Sequence, residues 1–266
     1  MTKRMILIVS SKGGVGKTAF SRGLCDILRA EGREVAAWDA DGAIGGFVKC
    51  LGQRDAQERL LPDQDRLFGV GYYDVRRDDE RGGLVNCISY GDDLIVQDIA
   101  GGALLDCSRV VDCGDSDMSG FLDILDARGY RLTLAHLLSN LMESAVSVGN
   151  WMDALPTDRC DHVAVLNQHF GRTVSDFPFW VGYSDTTGAQ RGGANRRRML
   201  ESGGLEIMLP AIPPGTFAKL DALHMRPSTG ASCPLLTVAE QAHSARFCRD
   251  LREQIKLSGE RLGWNS

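Results

Sequence analysis

No apolar run in the sequence approaches the length needed to cross a bilayer, so no membrane-spanning segment is expected. There is no Cys-x-x-Cys pair. The eight cysteines, Cys25, Cys50, Cys87, Cys107, Cys113, Cys160, Cys233 and Cys248, are scattered and are expected to be mostly buried small side chains. An excess of positive charge is also lacking: the formal net charge is -5, so no overall field draws the chain onto nucleic acid or acidic lipid. Any such contact must come from a local patch. Met1-Thr2-Lys3-Arg4 leads straight into an apolar run with no room for a secretory signal, so a cytoplasmic location is expected. What the chain does have is 266 residues with 43% hydrophobic content, enough for one substantial core, read as a single α/β domain over 1–266.

The most informative segment is Ser11-Lys12-Gly13-Gly14-Val15-Gly16-Lys17-Thr18, directly after the apolar run Met5-Ile6-Leu7-Ile8-Val9. The run reads as a buried parallel strand. The glycines let the backbone curl around phosphate oxygens before a helix begins at Ala19, with Phe20, Leu24, Ile27 and Leu28 at helical spacing. Lys17 is expected on the β/γ-phosphates and the Thr18 hydroxyl on Mg²⁺, making ATP and Mg²⁺ the expected ligands. The first position of the motif, normally glycine, is Ser11, and Lys12 stands directly behind it, so the match is to a deviant phosphate loop.

Further apolar strands end in acids. Glu34–Trp38 runs into Asp39-Ala40-Asp41, and Asp93–Gln97 runs into Asp98 and Gly101-Gly102. In an open parallel sheet, ligands lie beyond the carboxyl ends of the strands, which puts both acidic ends beside the phosphate loop. Asp98 is the preferred second magnesium element, with Asp112 as its competitor. Helices are expected over 118–126, 142–155 and 238–257, and strands over 130–137, 161–167 and 205–209. The fold expected is an open, mostly parallel sheet with helices on both faces. Residues 53–88 read as a polar, insertion-like surface segment in which 66–74 adds an edge strand. The helix over 238–257 reads as packed on the domain through Val238, Ala242, Ala245, Cys248, Leu251 and Ile255.

Through its loop and acidic strand ends the sequence resembles the deviant phosphate-loop ATPases of the ParA/MinD family, nearest to the partition and positioning branch. That resemblance implies a slow, partner-stimulated ATPase that forms a homodimer on binding ATP, with Lys12 crossing to phosphates in the other subunit. It implies that Gly13, Gly14, Val15, Gly16, Lys17 and Thr18 bind nucleotide. Thr18, Asp39 and Asp98 would serve the metal, and Asp41 would position the attacking water. Asn167 either recognises the purine or ends its strand as a turn residue, and Pro210 and Ile212 either touch the base or simply follow their strand. Gly42, Gly45 and Gly46 stand where the family has a switch, although they equally suit plain turns.

The family's iron–sulfur carriers use a closely spaced cysteine pair that is absent here, so no cluster is expected, although the separated Cys87, Cys107 and Cys113 are not excluded by spacing. ParA-type relatives bind DNA nonspecifically through basic residues. Arg196, Arg197 and Arg198 either contact DNA phosphates, with an association with the nucleoid, or face solvent or a protein partner. MinD-type relatives carry an amphipathic membrane tail, which the weakly apolar 258–266 does not resemble, so no membrane partner is expected. The reading favoured is an ATP-dependent switch that partitions or positions DNA or another cargo. The alternative is a protein-binding regulator that never touches DNA, for example in plasmid transfer or at a membrane-associated assembly.

Overall fold

The structure, a computed structural model, describes residues 3–42, 45–111 and 118–264. Asp112 and Cys113 lie outside the described residues. β1 (Lys3–Val9) is the central strand, because Met5 to Val9 are apolar and fully buried and so need cover on both faces. β2 (Ala36–Asp39), β3 (Gly71–Tyr72), β4 (Leu94–Asp98), β5 (Tyr130–Leu138) and β6 (Asp161–Asn167) follow in the chain. β7 (Tyr183–Ser184) and β8 (Gln190–Arg191) form a separate antiparallel hairpin, and β9 (Leu205–Leu209) returns to the main sheet. Among the described residues seven strands make one parallel sheet, ordered β3-β2-β4-β1-β5-β6-β9.

Helices connect these strands. They are α1 (Lys17–Ala30), α2 (Gly46–Leu51), α3 (Gly83–Asn86), α4 (Leu104–Ser108), α5 (Ser119–Ala127) and α6 (Met142–Ala154), then α7 (Pro178–Val181), α8 (Ala194–Glu201), α9 (Pro214–Ala222), α10 (Pro227–Gly230) and α11 (Val238–Ser258). Alternation along β1 separates two cores. Ile6 and Ile8 join Phe20, Leu24 and Ile27 of α1 and Phe247, Leu251 and Ile255 of α11 on one face. Met5, Leu7 and Val9 join Phe121, Leu122 and Leu125 of α5 and Trp151 of α6 on the other. The sheet is thus covered on both faces.

One expectation needs correction. α11 does pack on the sheet, but its buried line is Ser244, Phe247, Leu251, Ile255 and Ser258, while Val238 is 82% exposed and Ala242 and Ala245 face water. Phe247 sets the facing angle, because its ring buries far more area than the small residues on the neighbouring side. In the 53–88 segment the edge strand expected within 66–74 forms as β3, and the backbone continues into a zipper against the end of β2. Tyr73 N donates to Asp39 O at 3.0 Å, Gly42 N to Tyr73 O at 3.0 Å and Val75 N to Ala40 O at 3.1 Å.

Candidate nucleotide site

The loop 11–18 lies between the end of β1 and the start of α1, at the carboxyl edge of the sheet where the chain turns to β4 on one side and β5 on the other. Gly16 adopts φ 100°, a left-handed conformation that favours glycine, and a Cβ there would lie 2.3 Å from the Asn167 amide nitrogen. α1 begins at Lys17 with no side-chain cap, so its first amides remain open to an anion. Lys17 is nearly buried, and its Nζ donates to the Lys12 carbonyl at 3.4 Å. Burial lowers its pKa; Asp98 and then Asp41 oppose that shift, while the Arg76 charge adds to it. A buried ammonium whose hydrogen bonding among the described residues is one long contact is chemically prepared for a phosphate.

Asp39 and Asp98 are direct register partners at the ends of β2 and β4, and Ile8 of β1 is the next neighbour of Asp98. Asp98 Oδ2 accepts the Thr18 hydroxyl at 2.7 Å, while its buried Oδ1 has no hydrogen-bond partner among the described residues. Burial pushes the Asp98 carboxyl up to about 7, helped by the charge of Asp39 and opposed by the Thr18 hydroxyl, Lys17 and Ser21. A buried carboxylate oxygen left without a donor, beside a hydroxyl, fits a hard divalent cation. Among the described residues no group of three or more His, Cys, Asp or Glu side chains could hold a metal. Mg²⁺ needs none, since it commonly takes one or two carboxylates and fills its shell with phosphates and water.

Asp39 is committed otherwise. Its Oδ1 accepts Asp41 N at 3.0 Å, and its Oδ2 accepts Phe47 N and Val48 N, each at 3.0 Å, so it anchors the start of α2. Burial raises its pKa against those three bonds. A Cβ on Gly45 would stand 2.1 Å from this carboxylate, so only glycine permits the clasp. Asp41 is 43% exposed and pairs with Arg76, whose Nη2 also donates to the Gly101 carbonyl at 3.2 Å. A small cavity bounded by Lys17, Thr18, Asp39, Asp41, Gly46, Asp98 and Gly101 brings these expected residues together. Lys12 is exposed at the loop's outer edge, where its side chain makes no hydrogen bond or ion pair among the described residues.

A larger cavity of about 390 Å³ opens beside Gly14, Gly16 and Thr18, walled by Asn167, Phe170, Pro210, Ile212, Phe217 and Phe247. Its mostly apolar wall suits a flat heterocycle next to a phosphate site. This geometry has a counterpart in a known family: the chain matches the CobQ/CobB/MinD/ParA nucleotide binding domain (CbiA) over residues 6–201. The chain belongs to that family.

Among solved structures, the chain is similar to the septum site-determining protein MinD from Pyrococcus horikoshii OT3, complexed with Mg-ADP. The identity is 17% and the TM-score 0.54, over 97% of this chain and 98% of that one. It is also similar to the MinC:MinD cell division protein complex of Aquifex aeolicus, with 17% identity and TM-score 0.48 over 94% and 96% of the two chains. A nucleotide-binding protein from Archaeoglobus fulgidus in complex with ADP matches at 15% identity and TM-score 0.46, over 84% and 86%. At 17% identity the first likeness speaks for the fold alone. No curated protein matches the chain by sequence.

Within this member of the CobQ/CobB/MinD/ParA family, Asn167 borders the base cavity and is also tied to the phosphate loop. Its Nδ2 donates to the Val15 carbonyl at 2.9 Å and its Oδ1 accepts His169 N at 3.0 Å, so it braces the phosphate loop. Phe170, Phe217 and Phe247 escaped the sequence reading, because aromatics scattered over three elements have no spacing that marks a cavity. Two arginines of the α8 patch have acidic partners. Arg196 Nε and Nη2 donate to the two Glu206 oxygens at 2.8 and 2.9 Å, and Arg198 pairs with Asp153 at 2.5 Å. Arg197 alone of the three makes no ion pair among the described residues.

Proposed function

We propose that the chain is a Mg²⁺-dependent ATPase that switches between nucleotide states as an ATP-bound homodimer and acts through protein partners on a cellular target. The observation that carries this reading is the unpartnered Asp98 Oδ1 beside Thr18 at the end of the phosphate loop. In the proposal Thr18 and Asp98 hold Mg²⁺, and Asp39 keeps the acidic turn and α2 in place behind them. When bound, the metal supplies Lewis-acid stabilisation of phosphoryl charge. Lys17 and the amides of residues 13–18 hold the phosphates, and Asp41 acts by orienting the attacking water, because phosphoryl transfer has a loose transition state. Pro210 and Ile212 border the base through backbone and apolar surface.

Lys12 supports dimer-dependent chemistry, since an exposed cation at the loop can reach phosphate in a second subunit. Beside it a groove lined by Ser11, Gly102, Leu105 and Ser147 adjoins the exposed apolar Leu105, Met142 and Val146. Exposed apolar surface of this kind favours a protein contact. The part-buried fork of Arg196 onto Glu206 takes one arginine of the patch out of phosphate contact, which favours a protein-directed switch over a DNA-directed one, and a nucleoid association would depend on Arg197, on the exposed Arg198 and on surfaces outside α8. A stimulating protein partner and a cytoplasmic location belong to the same proposal. Among the described residues no helix is long and apolar enough to cross a membrane.

The deciding measurement is ATP binding by calorimetry and phosphate release, each with Mg²⁺ and with chelator, on wild type and Lys17→Ala. Tight, Mg²⁺-dependent binding that the variant loses is expected. Wild type that fails to bind ATP, or Lys17→Ala that binds like wild type, defeats the reading.

A further inference from the structure

We propose that Arg76 is an arginine supplied within the same chain to the terminal phosphoryl group, exchanging its present partner Asp41 for phosphate when a nucleoside triphosphate is bound. The inference rests on the nucleotide-switch reading above and adds a phosphate-contacting residue to it. Arg76 lies far from the loop in sequence, in a charged turn that reads as solvated surface. The zipper of residues 73–75 against 39–42 carries it to the mouth of the metal cavity.

Three observations point the side chain at phosphate. First, the guanidinium bridges the carboxyl ends of β2 and β4, pairing with Asp41 on one side and donating to Gly101 O at 3.2 Å on the other. Both partners border the cavity that holds Lys17, Thr18 and Asp98. A Cβ on Gly101 would be only 3.3 Å from Lys17 Nζ, so Arg76 reaches a residue packed against the loop lysine. Second, the charges are arranged for an anion that is not part of the protein. Lys17 borders the cavity and the Arg76 guanidinium is held at its rim on Asp41 and Gly101, so an anion in the cavity meets two cations.

Third, the backbone of Arg76 is braced while its side chain is exchangeable. Arg76 N donates to Asp74 Oδ1 at 3.0 Å, Asp74 N to Glu80 Oε2 at 2.8 Å, and Arg81 Nη2 to Arg76 O at 3.2 Å. Arg76 and Asp41 are 45% and 43% exposed, and an ion pair at such exposure is worth only about 0–1 kcal/mol. A phosphate offers the planar fork a bidentate, doubly charged partner and outcompetes a half-solvated carboxylate. The exchange also frees Asp41 for water, so one motion supplies a cation to the phosphoryl group and an acceptor to the nucleophile.

The test compares wild type, Arg76→Ala, Arg76→Lys and, as a neighbouring surface control, Arg77→Ala. The readouts are ATP and ADP affinity by calorimetry with Mg²⁺, single-turnover hydrolysis, and thermal melting to confirm folding. Arg76→Ala is expected to weaken ATP binding roughly 10-fold while ADP binding stays within about 2-fold, and to slow hydrolysis by about 10²-fold or more. Arg76→Lys should recover part of the ATP preference, because charge survives without the fork. Arg77→Ala should match wild type. An unchanged ATP:ADP ratio in Arg76→Ala, or faster hydrolysis, overturns the inference and makes the pair a brake or a surface contact. Wild type that binds no nucleotide at all would instead overturn the switch reading on which it rests.

Discussion

Asp39 and Asp98 face each other in register at the ends of adjacent parallel strands, one carboxylate engaged by three backbone amides and the other with an oxygen that has no donor among the described residues. Two buried acids this close divide their work through their hydrogen bonds. The one that is tied down shapes the switch segment, and the one that is open is available to a cation.

The pH dependence of the ligand-free protein follows from that pair. Asp98 titrates at about 7 in the fold and near 4 in the unfolded chain, so the folded state retains a proton that the unfolded state releases. Stability from this group is therefore present at low pH and lost as pH rises through 4 to 7. Asp98→Asn should raise the stability of the ligand-free protein at pH 8 by about 1–3 kcal/mol in chemical denaturation while abolishing Mg²⁺-dependent nucleotide binding. A variant that is less stable than wild type at pH 8 contradicts the assignment.

A buried histidine pair pulls the other way. His136 Nε2 and His162 Nδ1 are 2.9 Å apart, the rings stack, and His162 Nε2 meets Cys160 Sγ at 3.3 Å. Burial lowers both pKa values, His162 to about 4. The fold keeps these rings neutral while the unfolded chain protonates them near 6.5, so their contribution is present above pH 6.5 and lost as pH falls toward 4. Because the Asp98 slope has the opposite sign over that range, each is read as a difference from wild type. His136→Leu should flatten the acid-side loss in denaturation series from pH 8 to 5, and an unaltered slope would remove the pair from the account.

Asp41 separates binding from chemistry. Among the described residues its half-exposed carboxylate pairs with Arg76 rather than with Lys17 or Thr18, so Asp41→Ala should bind ATP within about 3-fold of wild type and hydrolyse it at least about 10-fold more slowly. Equal turnover in a single-turnover assay would assign the water to another residue.

Asn167 tests a reassignment. With both ends of its amide on backbone groups of the loop and of His169, it is expected to set loop order rather than base choice. Asn167→Ala should weaken ATP and GTP by the same factor, about 5–10-fold for one lost buried hydrogen bond. A changed ATP:GTP ratio would return the residue to base recognition.

The parts legible in the sequence are those whose chemistry is contiguous. Residues 11–18 state the loop in one stretch, and Asp39 and Asp98 each end an apolar run, so parallel pairing alone brings them to the loop. Arg76 was hidden because charged residues in a turn-rich segment look like solvated surface, and only the zipper to 39–42 turns this one inward. The face of α11 was misjudged because small residues at helical spacing mimic a packed line, whereas the bulk of Phe247 decides which side meets the sheet. Asn167 was correctly located at the end of its strand, but its partner, the Val15 carbonyl, is 152 positions away.

The α8 arginines give the last discrimination, because they differ in burial and partner. Arg196 forks onto Glu206, which also accepts the Trp180 indole N–H at 2.5 Å, so Arg196→Ala leaves a partly buried carboxylate short of its cation. That variant should lose about 1–3 kcal/mol of stability with or without DNA present. Arg197→Ala removes an exposed cation that has no ion-pair partner among the described residues and should change stability by less than about 0.5 kcal/mol. If DNA is bound in the ATP state, Arg197→Ala and Arg198→Ala should each weaken it uniformly across sequences and reduce the slope of log affinity against log salt by about 1, because the exposed Arg198–Asp153 pair gives way to phosphate, while Arg196→Ala does less because Glu206 already holds that charge. The measurement is ATP-dependent DNA association over a salt series for the three single variants. No association by wild type at low salt, with ATP-driven dimerisation intact, would leave the protein-directed switch as the use of this fold.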